Sequence, residues 1–185
     1  FKKNCVLDAG NSGALSRLIL GLLIHTKEKI KIIGDKSLSK RDFNRVMEPL
    51  KKFGANFISK SGKLPITILG TNNPKPINFI EKKGSAQIKS SIMLAALNTK
   101  NTTTIRAKKS RNHTELFFKY LKIPLKIKKM KNFDIIKING GNKIMKLDYR
   151  IPSDISSSAF FIVLTSLLKN SKLIIKNVNI NSSRV

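Results

Sequence analysis

The chain has 185 residues, of which 41% are hydrophobic, and its 37 Lys and Arg against 10 Asp and Glu leave a net charge of +27. This is the composition of a folded chain of one domain or one and a half; it excludes a disordered polymer, and no apolar run approaches the roughly 20 residues of a membrane-spanning helix. A single cysteine, Cys5, excludes an internal disulfide or a multi-cysteine zinc site, and two histidines, His25 and His113, are too few for a histidine metal centre, so no metal or cofactor is expected.

The opening residues Phe1–Lys3 run into Cys5 and a turn without a small-residue cleavage site, which reads as no signal peptide. From Leu7 the sequence "LDAGNSGALSRLILGLLI" sets Gly10, Asn11, Ser12 and Gly13 directly before an apolar helix. Such a turn either caps the helix or, with its free N–H groups and partial positive charge, holds an anion. A short β-rich stretch at Ile30–Ile33 follows, then a Ser/Lys/Arg turn. Phe43, Val46, Met47 and Leu50 next fall at the spacing of an amphipathic helix. Strands are predicted at Asn56–Ser59 and Ile66–Leu69, punctuated by Pro65, Pro74 and Pro76.

The pattern then repeats. "KGSAQIKSSIMLAAL" and "PSDISSSAFFIVLTSLL" restate the turn-then-apolar-helix of the first segment, with the anchors Asn11, Ser85 and Ser156 lying 74 and 71 residues apart. After the second such helix come a strand at Thr103–Arg106, a basic turn, and a helix with Leu116, Phe117, Tyr120 and Leu121 on its predicted apolar face. Strands follow at Leu125–Lys128 and Asp134–Ile138, before "NGGN" at Asn139–Asn142. The third copy reaches only a β-rich stretch at Leu173–Ile175. Each unit reads strand–helix–strand–helix–strand–strand. Several helix starts and basic turns brought together would favour anions, whereas simple duplication of a helix cap explains the repeat equally well.

The charge by itself suggests nucleic acid. Its lysines are spread among many Ile and Asn, residues with A- and T-rich codons. Aromatics are 6%, with no Trp and no interleaved basic-aromatic motif. A second reading of the basic charge is a site for small polyanions, such as phosphates and carboxylates.

The blocks "DAGNSGALSRL", "GDKSLSKRDFNRVMEPLKKFGA", "LPITILG", "GSAQIKSSIMLAAL", "SRNHTEL", "IPSDISSSAFFIV" and "NVNINSSR" occur in this order across the whole chain. In that order and spacing they resemble the 5-enolpyruvylshikimate-3-phosphate synthase family. The resemblance implies an α/β (α+β) fold of βαβαββ units, an inside-out α/β barrel of the enolpyruvyl transferase type. It also implies transfer of the enolpyruvyl group of phosphoenolpyruvate to the 5-hydroxyl of shikimate 3-phosphate, on the route to chorismate and the aromatic amino acids. On this resemblance residues 1–148 are most of the domain built mid-sequence, and residues 149–185 start the re-entered other domain.

The same resemblance places Asn11, Gly13, Arg41 and Gln87 on phosphoenolpyruvate, and Ser85, Ala86, Gln87 and Ser110 on shikimate 3-phosphate. Arg111 and His113 fall near the latter; Arg17 and Asp154 fall near the cleft, chiefly as a structural charge pair. Ala14 stands where the family has Thr, Asp42 where Pro is common, and Asn112 where Asp is common. The family's N-terminal Lys/Ser/Arg cluster would precede Phe1, and its catalytic acid and base would follow Val185. The expectation is thus an internal fragment, without catalytic residues or activity of its own, of a monomeric cytoplasmic enzyme. The stretch from Ile151 is expected to lack partners and to expose its apolar helix around Phe160–Leu168. The UDP-N-acetylglucosamine enolpyruvyl transferases, which share the fold, usually carry a catalytic Cys in the loop before the Arg; here that loop, "GDKSLSKR", has none. A nucleic-acid-binding module remains the alternative of a different class, separable by a steep salt dependence of duplex binding.

Overall fold

A computed structural model describes residues 4–142, 144 and 146–183; Phe1, Lys2, Lys3 and, in the last matched block, Arg184 lie outside the described residues. The chain divides into two units, Phe1–Ile144 and Met145–Val185.

The first unit is the repeat made visible. Its first half runs β1 (Cys5–Asp8), α1 (Gly13–Leu22), β2 (Ile30–Ile33), α2 (Asn44–Lys51), β3 (Asn56–Ser59) and β4 (Ile66–Leu69). Its second half runs β5 (Asn78–Glu81), α3 (Ala86–Ala96), β6 (Thr102–Lys108), α4 (His113–Tyr120), β7 (Leu125–Lys129) and β8 (Phe133–Asn139). Each half forms an open four-stranded sheet, ordered β1-β2-β4-β3 and β5-β6-β8-β7. In each the first pair is parallel, with Cys5 opposite Ile30 and Asn78 opposite Thr104, and the other two pairs are antiparallel. The likeness extends to single hydrogen bonds. After β4 the Thr71 N–H donates to the Ile24 carbonyl, and after β8 the Gly141 N–H donates to that of Leu97. Among the described residues the two sheets remain open and no barrel closes.

The strands that open each half, β1 and β5, carry no signal that sequence periodicity locates. Each has four residues and alternates half-exposed with exposed or buried positions. They form because the parallel register with β2 and β6 satisfies their backbone, which is a tertiary cause.

One contiguous core joins both halves. Phe43, Val46, Met47 and Leu50 are all buried, as the spacing of α2 predicts. The corresponding face of α4 departs from expectation. Leu116, Phe117 and Tyr120 are 48%, 41% and 58% exposed, and α4 instead buries Phe118 and the charged Glu115. Leu121 alone of the four predicted residues packs against the core, and Glu115 turns inward to the buried Lys89 of α3.

Helices α1 and α3 run parallel and close. Arg17 meets Gln87, the Ser91 hydroxyl donates to the Arg17 carbonyl at 3.0 Å, and one turn on Gly21 lies against Ser91, so the two sequences climb together. A Cβ on Gly21 would sit 2.2 Å from the Ser91 carbonyl oxygen. Only glycine permits this approach.

The second unit holds α5 (Ile155–Leu167), begun by Asp154, whose carboxylate accepts from the Ser156 N–H at 3.0 Å. A parallel bridge joins Ser153 to Val178. The predicted strand at Leu173–Ile175 is absent: no described strand runs beside it to accept its backbone bonds. Most of α5 is exposed, with Phe160 at 81% and Leu167 at 77%. No helix of the described residues is long and apolar enough to cross a membrane.

Gly21→Ala gains at most about 1 kcal/mol of helix propensity but forces a methyl into a main-chain oxygen, an overpacking that costs about 1–3 kcal/mol. The variant is expected to be less stable than wild type in urea denaturation; equal or greater stability would show that α1 and α3 separate freely.

Candidate functional site

The starts of α1 and α3 lie at the same end of the parallel pair, and two loops join them there. Ser12 caps α1, its hydroxyl accepting from the Leu15 N–H at 3.1 Å; Ser85 caps α3, accepting from the Ile88 N–H at 3.4 Å. Capping therefore does occur at both turns, but each cap hydroxyl satisfies only one of the orphan N–H donors of its helix.

What surrounds the α1 start is cationic. A Cβ on Gly13 would lie 3.1 Å from Arg41 Nη1 and 3.2 Å from Arg17 Nη1, so two guanidinium groups stand over this residue. Arg17 is 4% exposed. Its Nη1 donates to Gln87 Oε1 at 2.8 Å, its Nη2 to the Asp42 carbonyl at 3.4 Å, and its guanidinium lies 5.0 Å from the centre of the Phe43 ring. Its buried Nε has no hydrogen-bond partner. Burial, then the like charges of Arg45 and Arg41, push the Arg17 guanidinium below its ordinary value, with Asp42 opposing. Arg41 is exposed, at the end of the single 3-10 turn Leu38–Lys40. A buried cation pressed by two others, with one nearby carboxylate, is an arrangement that an anion would relieve.

The Arg17–Gln87 bond also orients Gln87. Because the side-chain carbonyl accepts from Arg17, the amide nitrogen is left to donate. Asn11 is tied differently: its Nδ2 donates to Asp35 Oδ2, latching the α1 turn to the loop that leads to Arg41. Asp35 Oδ1 in turn accepts from the Leu38 N–H at 2.7 Å.

A second group of the expected residues meets at the α3 start. Gly84, Ser85, Ala86, Gln87, Ser110 and Arg111 line a pocket of about 420 Å³. The Ser110 hydroxyl is buried without a hydrogen-bond partner, while the Arg111 side chain is exposed. Below the pocket, Lys89 and Glu115 form an ion pair at 2.6 Å with side chains 3% and 5% exposed. Lys89 also donates to the Arg111 carbonyl at 2.9 Å.

Asn11, Gly13, Arg17 and Arg41 thus gather at the α1 start, and Ser85, Ala86, Gln87, Ser110 and Arg111 at the α3 start, with the Arg17–Gln87 bond joining the groups. His113, the exposed first residue of α4, is not among the pocket's lining residues. Asp154 belongs to the second unit, where it caps α5. Of the departures, Asp42 accepts from the Asn44 N–H at 2.9 Å just before α2, and Asn112 occupies the α4 cap position. Sequence reasoning missed Asp35 and the pair Lys89–Glu115. The one available signal was a lysine in the middle of the apolar "AQIKSSIMLAA".

Asn11, foremost, and the Leu38 N–H hold the Asp35 carboxyl below its ordinary value. A depressed carboxyl stabilises the fold above the unfolded value, about 3.9, and that stabilisation is lost as pH falls through the folded value. Asn11→Ala is expected to raise the Asp35 titration midpoint towards the ordinary value in carboxyl-carbon NMR; an unmoved midpoint would mean that Asn11 is not the latch.

The EPSP synthase family model, described as 3-phosphoshikimate 1-carboxyvinyltransferase, matches residues 1–185. The 3-phosphoshikimate 1-carboxyvinyltransferase of Streptococcus agalactiae serotype III (strain NEM316) is 40% identical over 184 residues, covering 98% of this chain and 42% of the relative. That of Bacillus subtilis (strain 168) is 38% identical over 182 residues, covering 97% and 41%. Among solved structures, EPSP synthase from Acinetobacter baumannii superposes with a TM-score of 0.77 at 34% identity, covering 96% of this chain and 40% of that one. The chain therefore spans about two-fifths of the length of the relatives it matches.

Proposed function

The chain belongs to the EPSP synthase family, and from that premise we propose that it supplies the substrate-clamping part of an enzyme that transfers the enolpyruvyl group of phosphoenolpyruvate to shikimate 3-phosphate. The observation that carries this reading is the pair of helix starts joined by the Arg17–Gln87 bond, with the Arg17 and Arg41 guanidinium groups over Gly13. The reaction needs two polyanions held against each other, and the geometry offers two adjoining anion-binding groups of residues.

In this reading Arg41, Asn11, Gly13 and the Gln87 amide hold phosphoenolpyruvate. Glycine at position 13 lets the ligand approach the helix N-terminus, and the planar fork of Arg41 suits a carboxylate or phosphate. Ser85, Ala86, Gln87 and Ser110 hold shikimate 3-phosphate, with Ser110 offering a hydroxyl that has no protein partner. Arg17 orients Gln87 and adds positive potential. The chain contributes positioning and charge compensation; the acid and base of the addition–elimination come from elsewhere in the enzyme. The names of the matched relatives favour shikimate 3-phosphate over a UDP-sugar acceptor. We read the enzyme as a cytoplasmic monomer acting on small anions, not on nucleic acid or membranes.

Two outcomes follow from this division of labour. The 185-residue chain alone should release no phosphate from the two substrates together; turnover above the blank would overturn the assignment of acid and base to other parts. In the complete enzyme, Arg41→Ala should lower kcat/KM for phosphoenolpyruvate by about tenfold to a few hundredfold, since a charged hydrogen bond contributes about 1.5–3 kcal/mol. Arg41→Lys should fall between, and calorimetric binding of shikimate 3-phosphate alone should change little. An unchanged phosphoenolpyruvate dependence in folded Arg41→Ala would remove Arg41 from the site.

A further inference from the structure

We propose that Lys89 is a positioning residue that sets the Ser110–Arg111 wall of the pocket at the α3 start, an inference that rests on the reading of this pocket as the shikimate 3-phosphate site. Lys89 stands one helical turn after the Ser85 cap and on the same face of α3, its N–H donating to the Ser85 carbonyl at 3.1 Å. The side chain is buried and makes two bonds, to Glu115 Oε1 at 2.6 Å and to the Arg111 carbonyl at 2.9 Å. A second tie lies beside it, the Ser90 and Thr114 hydroxyls being 2.6 Å apart. Together these fix the loop between β6 and α4 to the same helix turn that carries Ser85, Ala86 and Gln87.

Stability does not explain the pair. Two charges taken out of water recover their desolvation only with full hydrogen bonding, and an apolar pair of similar volume commonly serves the fold as well. Here the accounts are incomplete, because Glu115 Oε2 is buried without a hydrogen-bond partner. What Leu or Met at position 89 could not do is grip the Arg111 carbonyl. That grip holds the main chain next to Ser110, whose hydroxyl is buried at the pocket with no protein partner. Glu115 then serves to keep the ammonium aimed and neutralised.

The test uses the complete enzyme and two variants, Lys89→Met and the double variant Lys89→Met/Glu115→Leu. Thermal midpoint, calorimetric affinity for shikimate 3-phosphate, and amide exchange at Lys109–Asn112 are measured for each. Lys89→Met should lower the midpoint, because it strands a buried carboxylate. The double variant should recover the midpoint yet still bind shikimate 3-phosphate about tenfold more weakly, with faster exchange at Lys109–Asn112, since the Arg111 carbonyl still lacks its donor. Recovery of both affinity and exchange protection in the double variant would reduce the pair to a structural role and overturn the proposal. If wild type shows no binding of shikimate 3-phosphate, the reading of the pocket fails, and exchange at Lys109–Asn112 in the double variant decides the positioning role without it.

Discussion

The contact of α1 with α3 is the constraint on which the rest of the first unit depends. Gly21 against the Ser91 carbonyl lets two helix backbones approach without side chains between them. Parallel packing then puts both N-termini at one end, where Arg17 can reach Gln87 at 2.8 Å. Were the helices a side chain further apart, the bond would be lost and the two groups of residues at the helix starts would be separate. The inner face of α1, with buried Gly13, Ser16, Arg17, Leu20 and Gly21, is accordingly small and polar, while Leu15 and Leu22 face out.

Two kinds of buried cation sit in this frame, and their environments differ in a way that separates binding from support. Lys89 is matched by Glu115 and by a main-chain carbonyl. Arg17 bonds to Gln87 and the Asp42 carbonyl, is pressed by Arg45 and Arg41, and leaves Nε unpartnered. A satisfied buried cation organises structure; an under-compensated one in a cationic cluster is a place where a mobile anion gains free energy. The net charge of +27 says nothing of this distinction, since it counts exposed lysines and Arg17 alike.

The two halves of the first unit share topology and register but have diverged in packing. Val46, Met47 and Leu50 of α2 are buried, whereas on α4 the buried residues are Glu115 and Phe118, and Leu116, Phe117 and Tyr120 are exposed. Apolar spacing reports that one face of a helix is greasy. Which face turns inward depends on what polar groups its neighbours force it to satisfy, and on α4 the neighbour is Lys89.

The sequence by itself determined the repeat, most of its strands and helices, and the cap turns before α1 and α3; the hydroxyl and arginine residues that gather at them were legible only through the family resemblance. These are local properties: turn chemistry, period and spacing are written within a few residues of where they act. The tertiary structure alone decided the bounds of the opening strands β1 and β5, the absence of a strand at Leu173–Ile175, the exposure of Leu116, Phe117 and Tyr120 on α4, the latch from Asn11 to Asp35 and the pair Lys89–Glu115. Each of these depends on a partner 24 to 26 residues away or on a neighbouring strand. A strand of four residues exists only where another pairs with it, and a buried lysine is tolerable only where a carboxylate and a carbonyl meet it. No pattern read along the chain can report an interaction whose energy lies across it.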